Sequence, residues 1–257
     1  MIQESAIGPA SFLVCASDLH PVNAENSVNK YADDCYLIIP ASNTSQCKAE
    51  LEHVEDWAKH NNLKLNTDKT VEMIITAKNK NPAVPPPIPG ITRSDTVEML
   101  GVTLSNKLKM TQHINEKIES CSKSLFALKT LKAHGMCKAE LYEVFRATTL
   151  ASLLYAAPAW WGFALAEEKG RLDAFLRKAV KADFYPGTGP TISELVGREE
   201  RTLFKSVSLN CHHVLHPLLP PVALRTYNLR PRSHPYVIPS SISSMHDRNF
   251  IIRMLKL

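Results

Sequence analysis

No stretch of this 257-residue chain reaches eighteen consecutive apolar side chains, which excludes a hydrophobic membrane-spanning helix. The short apolar stretch Ala10 to Ala16 has no basic leader and is closed by Asp18, so no signal peptide is expected either. Cysteine is scarce and scattered: Cys15, Cys35, Cys47, Cys121, Cys137 and Cys211 contain no C-x-x-C pair. That spacing argues against a disulfide framework and a zinc ribbon. The six thiols are expected as small buried hydrophobes in a reducing compartment. No internal repeat is visible. These absences lead to the expectation of a soluble intracellular protein, cytoplasmic or nuclear.

What is present is ample apolar material, 44% of residues, enough for one large domain or two small ones. Charge is spread unevenly. Residues 1–106 carry 8 Lys and Arg against 13 Asp and Glu, a net −5. Residues 107–181 carry 13 against 7, a net +6, and residues 182–257 carry 9 against 5, a net +4. An acidic part suited to metal cations is thus followed by a basic part suited to a polyanion, although solvated helix faces would give the same split.

Val28 to Tyr31 and Cys35 to Ile39 are rich in β-formers and flank Ala32-Asp33-Asp34, which predicts a hairpin whose turn has neither Gly nor Asn. Leu51, Val54, Trp57 and Ala58 recur at helical spacing and predict an amphipathic helix from Ser45 to Asn61, capped by Thr44 or Ser45. Leu63 and Leu65 lead through the turn Asn66-Thr67-Asp68-Lys69 into a strand over Val71 to Ile75. Strand, strand, helix, strand fits an α+β layer with a helix packed on an antiparallel sheet. The proline-rich stretch 81–90 is expected as an exposed stiff connector, and Glu98 to Leu104 as a further strand.

Beyond that strand the period changes. Ile114, Ile118, Cys121, Leu125 and Leu128 predict a helix stopped by His134-Gly135. A second helix is expected from Cys137 to Ala157, closed by Pro158, and a third from Glu167 to Phe184 with Leu172, Phe175, Leu176 and Ala179 inward. The proline and serine content of Pro217 to Ser244 predicts a loosely structured tail.

Asp33 and Asp34 carry the clearest chemistry. Side by side at a hairpin tip they suit Mg²⁺ or Mn²⁺, since such hard cations take carboxylate and phosphate oxygens together. In a two-metal site the ions lie ~3.5–4 Å apart, one activating an attacking hydroxyl and the other steadying the leaving oxygen. Adjacent residues of an extended chain point to opposite faces, so a further carboxylate from elsewhere is needed. Other clusters read two ways. Cys211-His212-His213 with His216 is a zinc cluster lacking a completing pair, or ordinary tail. Trp160-Trp161 stacks on bases or closes a core. Lys117, Lys123, Lys129 and Lys132 follow a phosphate backbone or form the wet side of an amphipathic helix; Arg177, Lys178 and Lys181 join them as nucleic-acid-binding candidates.

An ordered set of stretches resembles one family. It runs from Gly8-Pro9 with Ser11-Phe12-Leu13 and Ser17-Asp18-Leu19, through Tyr31-Ala32-Asp33-Asp34, to Asn62-Leu63-Lys64-Leu65-Asn66 with Lys69-Thr70. Leu100-Gly101-Val102 with His113-Ile114, Leu154-Tyr155 with Pro158-Ala159-Trp160, and Arg171-Leu172 with Arg177-Lys178 follow. Leu203-Phe204 with His216-Pro217-Leu218 and Tyr227-Asn228-Leu229-Arg230-Pro231-Arg232 complete it. The set resembles the reverse transcriptases of non-LTR, LINE-type retrotransposons.

The resemblance implies a partial polymerase palm over residues 1–106, a helical thumb over 107–184 and a C-terminal tail over 185–257. It implies RNA-directed DNA synthesis on an RNA template and a DNA primer, whose 3′-hydroxyl attacks the α-phosphate of a deoxynucleotide triphosphate. Asp33 and Asp34 take the place of the catalytic, metal-binding aspartates, with Asp33 the more direct ligand. Ser5, Gly8, Pro9, Tyr31 and Lys69 fall in substrate-binding positions, with Lys69 near the triphosphate, and Leu100-Gly101-Val102 in a strand that supports the primer end.

Two departures bear on activity. The family's first catalytic aspartate and its fingers lie upstream of Ser5, where this sequence has no room, so the isolated chain is expected to be inactive. Gln3-Glu4-Ser5 stands where the family has Gln-Gly-Ser, replacing a glycine that lets the backbone come close with an acidic side chain. The alternative is a non-catalytic module that holds RNA or an RNA:DNA hybrid through its basic thumb. Nothing in the sequence sets the oligomeric state.

Overall fold

A computed structural model describes residues 8–76, 84–223 and 234–257, with side chains from Ser11 onward. Ser5 and the Tyr227–Arg232 stretch lie outside the described residues. Backbone contacts divide the chain into two units, Met1–Asp95 and Thr96–Leu257. No helix among the described residues is long and apolar enough to cross a membrane.

In the first unit, α1 (Gly8–Cys15) opens on Gly8 and Pro9, a position where proline's missing N–H costs nothing, and runs into a 3₁₀ turn, Ala16–Asp18. Strands β1 (Ser27–Tyr31) and β2 (Asp34–Ile38) form an antiparallel hairpin in which Tyr31 pairs with Asp34. A 3₁₀ segment, Ala41–Gln46, leads into α2 (Cys47–His60). The cap expected at Thr44 or Ser45 is not used, because the 3₁₀ segment consumes those residues: the Thr44 hydroxyl donates to the Ala41 carbonyl and α2 begins uncapped after Gln46.

The expected strand Val71 to Ile75 shrinks to β3 (Val71–Glu72), which pairs in parallel with β4 (Thr92–Arg93). The Arg93 guanidinium donates to both Glu72 carboxylate oxygens, at 2.7 and 3.1 Å, and to the Pro85 and Pro86 carbonyls. The prolines thereby fold against the ladder, which they cannot extend.

Little apolar surface is enclosed in this unit. Among the described residues its buried apolar side chains are Ala16, Leu19 and Ala58, beside buried Asn26, Asn43 and Glu50. Glu50 is wholly enclosed and accepts the Val22 and Asn23 N–H groups, both at 2.9 Å, and the Asn26 amide at 2.7 Å. Burial pushes its carboxyl up, but the hydrogen bonds from Asn23, Asn26 and Val22 outweigh it and hold the group below the usual carboxylate range.

In the second unit, β5 (Thr96–Met99) and β6 (Val102–Ser105) form an antiparallel hairpin with Met99 opposite Val102. This corrects the single strand expected over Glu98 to Leu104. Leu100 (φ 49°) and Gly101 (φ 78°) both adopt left-handed backbone, as a two-residue primed turn demands, and so the chain reverses where the apolar pattern reads as continuous.

Helix α3 (Thr111–Ala133) buries Ile114, Cys121, Leu125 and Leu128 and stops at His134-Gly135, with Gly135 at φ 91°. The helix expected from Cys137 to Ala157 is instead α4 (Lys138–Phe145), a π-helical turn over Arg146–Leu150, and α5 (Ala151–Leu154). Pro158 does not close that run. It lies in the first turn of the next helix, α6 (Ala157–Trp160), after Ala156 at φ 52°. Helix α7 (Ala166–Lys181) buries Leu172, Phe175, Leu176 and Ala179, as its spacing predicts.

The periodicity reading has no helix over α8 (Ile192–Leu209), although Thr191 and Glu194 form a capping box at its start. Pro217 to Ser244 holds little regular structure among its described residues, and α9 (Ser244–Arg248) and α10 (Phe250–Leu255) end the chain. One apolar core joins β6 to the start of α8, and a second packs Phe204 and Val207 with Tyr236 and α10. Of the six cysteines only Cys121 is buried; Cys35, Cys137 and Cys211 are exposed, because they fall on a hairpin strand, a helix start and a turn.

Candidate active site

The hairpin that carries the two aspartates is rooted from below. Lys30 on β1 sends its ammonium to the Ala16 and Leu19 carbonyls, where α1 and its 3₁₀ turn end, and so neutralises the negative end of that segment. Because Tyr31 pairs with Asp34, only Ala32 and Asp33 form the loop. Ala32 sits at φ 48°, a left-handed backbone that costs a non-glycine residue about 1 kcal/mol. Tyr31, Asp33 and Asp34 are all exposed.

Asp33 is a loop residue and Asp34 the first residue of β2, so the pair straddles the point where the chain turns extended. Partial desolvation pushes the adjacent Cys35 thiol up although the residue is exposed; Lys30 opposes this, and the Asp34 and Asp33 charges add to it. Two exposed carboxylates suit a hard divalent cation. Among the described residues no three His, Cys, Asp or Glu side chains gather into a cation site. Asp18 is engaged as a brace, its Oδ1 accepting the Trp57 indole N–H at 2.8 Å. Lys69 is exposed in its turn, where its N–H donates to Asn66 Oδ1.

The remaining candidates belong to the second unit. At the β5–β6 turn Leu100 is 42% exposed and Val102 is buried. The Tyr155 hydroxyl donates to the Leu100 carbonyl at 3.1 Å, and the Lys117 ammonium lies 5.4 Å from the centre of the Tyr155 ring. His113 braces the next residue pair: its Nδ1 accepts the Thr103 N–H at 3.2 Å, while the Thr103 hydroxyl donates to Glu116. Burial pushes His113 down to about 4, with the Lys117 charge adding and the Glu116 charge opposing. Among the described residues its Nε2 has no hydrogen-bond partner, and the ring meets Trp160 edge-on at 5.3 Å.

The basic candidates separate into two groups. Lys117 is engaged with Tyr155, Lys123 pairs with Glu119 at 2.8 Å, and Lys132 reaches Asp183 at 3.0 Å and the Ala182 carbonyl. Lys129, Arg177, Lys178 and Lys181 are exposed and have no ion-pair partner among the described residues. Trp160 and Trp161 are buried, which places them in the core and not on a base-stacking surface. His213 accepts the Leu215 N–H in a local turn. Tyr155 and His113 act on the hairpin from a distance in sequence, and only the motifs that contain them pointed to these two residues.

Residues 3–104 match the family described as reverse transcriptase (RNA-dependent DNA polymerase). The probable RNA-directed DNA polymerase from transposon BS of Drosophila melanogaster is 24% identical over 200 residues, which cover 70% of this chain. The chain spans about a fifth of that relative, 22% of its length. No solved structure gives a significant match. The family match over the aspartate hairpin and the similarity to a transposon polymerase agree in pointing to the retrotransposon reverse transcriptases.

Proposed function

We propose that this chain supplies the Asp33-Asp34 catalytic hairpin of an RNA-directed DNA polymerase that uses an RNA template, a DNA primer and deoxynucleotide triphosphates. The observation that supports it is the two-residue loop at Ala32-Asp33, which presents both carboxylates to solvent on a rooted, strained hairpin. Asp33 and Asp34 would hold Mg²⁺ or Mn²⁺, and such an ion when bound supplies Lewis acidity at phosphoryl oxygens. The chain's own residues position the reactants. Lys30 fixes the hairpin base, exposed Lys69 offers a cation to a triphosphate, and the Leu100-Gly101-Val102 turn backs the primer end.

Two carboxylates are too few to hold two ions, so the hairpin needs a further acidic ligand and the chain alone does not extend a primer. A Mn²⁺ titration followed by electron paramagnetic resonance tests the hairpin: Asp33→Asn is expected to weaken binding at least about tenfold, the loss of one charged ligand. Equal affinity in the two proteins would sink the metal site. Primer extension on an RNA template tests competence, and incorporation by this chain that is lost in Asp33→Asn would overturn its inactivity while supporting the chemistry.

A second reading rests on Lys129, Arg177, Lys178 and Lys181, which are exposed and unpaired among the described residues. They suit a non-catalytic hold on RNA or an RNA:DNA hybrid. Binding that does not weaken as salt rises counts against it.

A further inference from the structure

We infer that Tyr155 is a positioning residue that fastens the Leu100-Gly101 turn to the helical unit, so that this turn and the basic helices form one surface for the primer strand. The inference rests on the reading of Leu100-Gly101-Val102 as primer-supporting. Its geometry does not.

Tyr155 stands where the chain leaves α5, with its ring over the turn. Its hydroxyl donates to the Leu100 carbonyl at 3.1 Å, which ties down a turn residue that strand pairing leaves outside the ladder. A Cβ placed on Gly101 would lie 3.1 Å from Tyr155 Cε1, so a side chain there would push the ring back by a few tenths of an ångström. Glycine is favoured at this position by its φ of 78°, and the close ring adds to that preference.

Tyr155 is itself held at two points. Its carbonyl accepts the indole N–H of buried Trp160 at 3.0 Å, and the Lys117 ammonium faces its ring. Ala156, in left-handed backbone, makes the sharp exit from Tyr155 into α6. On β6, the Thr103 N–H is accepted by His113 of α3. Two helical elements thus grip one short hairpin, and the contacts group Thr96–Ser105 with the helices and not with the unit that carries Asp33. A primer strand lying on the exposed lysines would meet a turn that moves with them.

The test uses the full chain with an RNA template annealed to a DNA primer that ends in a photoreactive 4-thiothymidine. Cross-links from the primer end are expected within residues 96–105 of the wild-type protein. In Tyr155→Phe, which removes only the hydroxyl, hydrogen exchange at residues 99–102 is expected to quicken about fivefold, as for one lost hydrogen bond, at unchanged overall binding. The cross-link should fall by a similar factor. Gly101→Ala, which pushes the ring away, should quicken the same exchange and lower the same cross-link while Tyr155 keeps its hydroxyl.

Wild-type exchange rates in both variants would overturn the fastening. Quickened exchange with an unaltered cross-link would overturn its bearing on the primer. A wild-type protein that binds the duplex but cross-links elsewhere would overturn the primer-supporting reading, and exchange would still decide whether Tyr155 fixes the turn.

Discussion

His113 is buried to 1% exposure and stays neutral there, because its Nδ1 accepts the Thr103 N–H and the nearby Glu116 charge does not outweigh the burial. Burial lowers its pKa from the ordinary 6.5 to about 4. The unfolded chain therefore takes up a proton between these values that the folded chain refuses. Stability from this residue is complete above pH 6.5 and falls as pH drops toward 4, by at most about 3 kcal/mol. His113→Asn places an acceptor where Nδ1 lies and removes the titration. Urea denaturation of the two proteins from pH 7.5 to 4.5 is expected to show a stability difference that narrows or reverses as the pH falls. A constant difference over that range would mean that His113 is not the group responsible.

The short-range elements show where sequence and structure part. The aspartate hairpin was legible because β-formers flank it on both sides, and α3 and α7 because one face repeats at 3.6 residues and is buried. The β5–β6 turn was not, since Met99-Leu100-Gly101-Val102 is apolar throughout and only the positive φ of Leu100 and Gly101 marks the reversal. Pro158 misled because proline serves equally to stop one helix and to start another. At the candidate site, Asp33 and Asp34 could be named from sequence; the Tyr155 contact with Leu100, 55 residues away, has no local signal. Helix α8 did have one. The Thr191 hydroxyl accepts the Glu194 N–H at 3.3 Å, and Glu194 accepts the Thr191 N–H at 2.8 Å. Thr191→Ala leaves one helix-start donor unsatisfied and is expected to cost about 1 kcal/mol, read as a lower urea midpoint at unchanged slope. No shift would mean that solvent caps α8 as well as Thr191 does.

At the scale of the whole molecule the two units differ in what holds them. Thirty apolar side chains are buried in the second unit among the described residues, in two clusters, against three in the first. Each fully buried large apolar side chain contributes roughly 1.5–3 kcal/mol, so the second unit has a far larger apolar term to set against the entropy of ordering its chain. The first unit relies instead on directed bonds: Glu50 with Val22, Asn23 and Asn26, Arg93 with Glu72, and Lys30 with two carbonyls. Such bonds net only about 1 kcal/mol each. The unit that presents Asp33 and Asp34 should therefore open at lower free energy than the helical unit. Limited proteolysis of the full chain is expected to cut within residues 8–95 first and leave a resistant fragment beginning near Thr96. Native-state hydrogen exchange should show lower protection in β1 and β2 than in α3 and α7. A single transition with equal protection in both units would show that the aspartate hairpin draws its stability from the helical unit and has no separate opening.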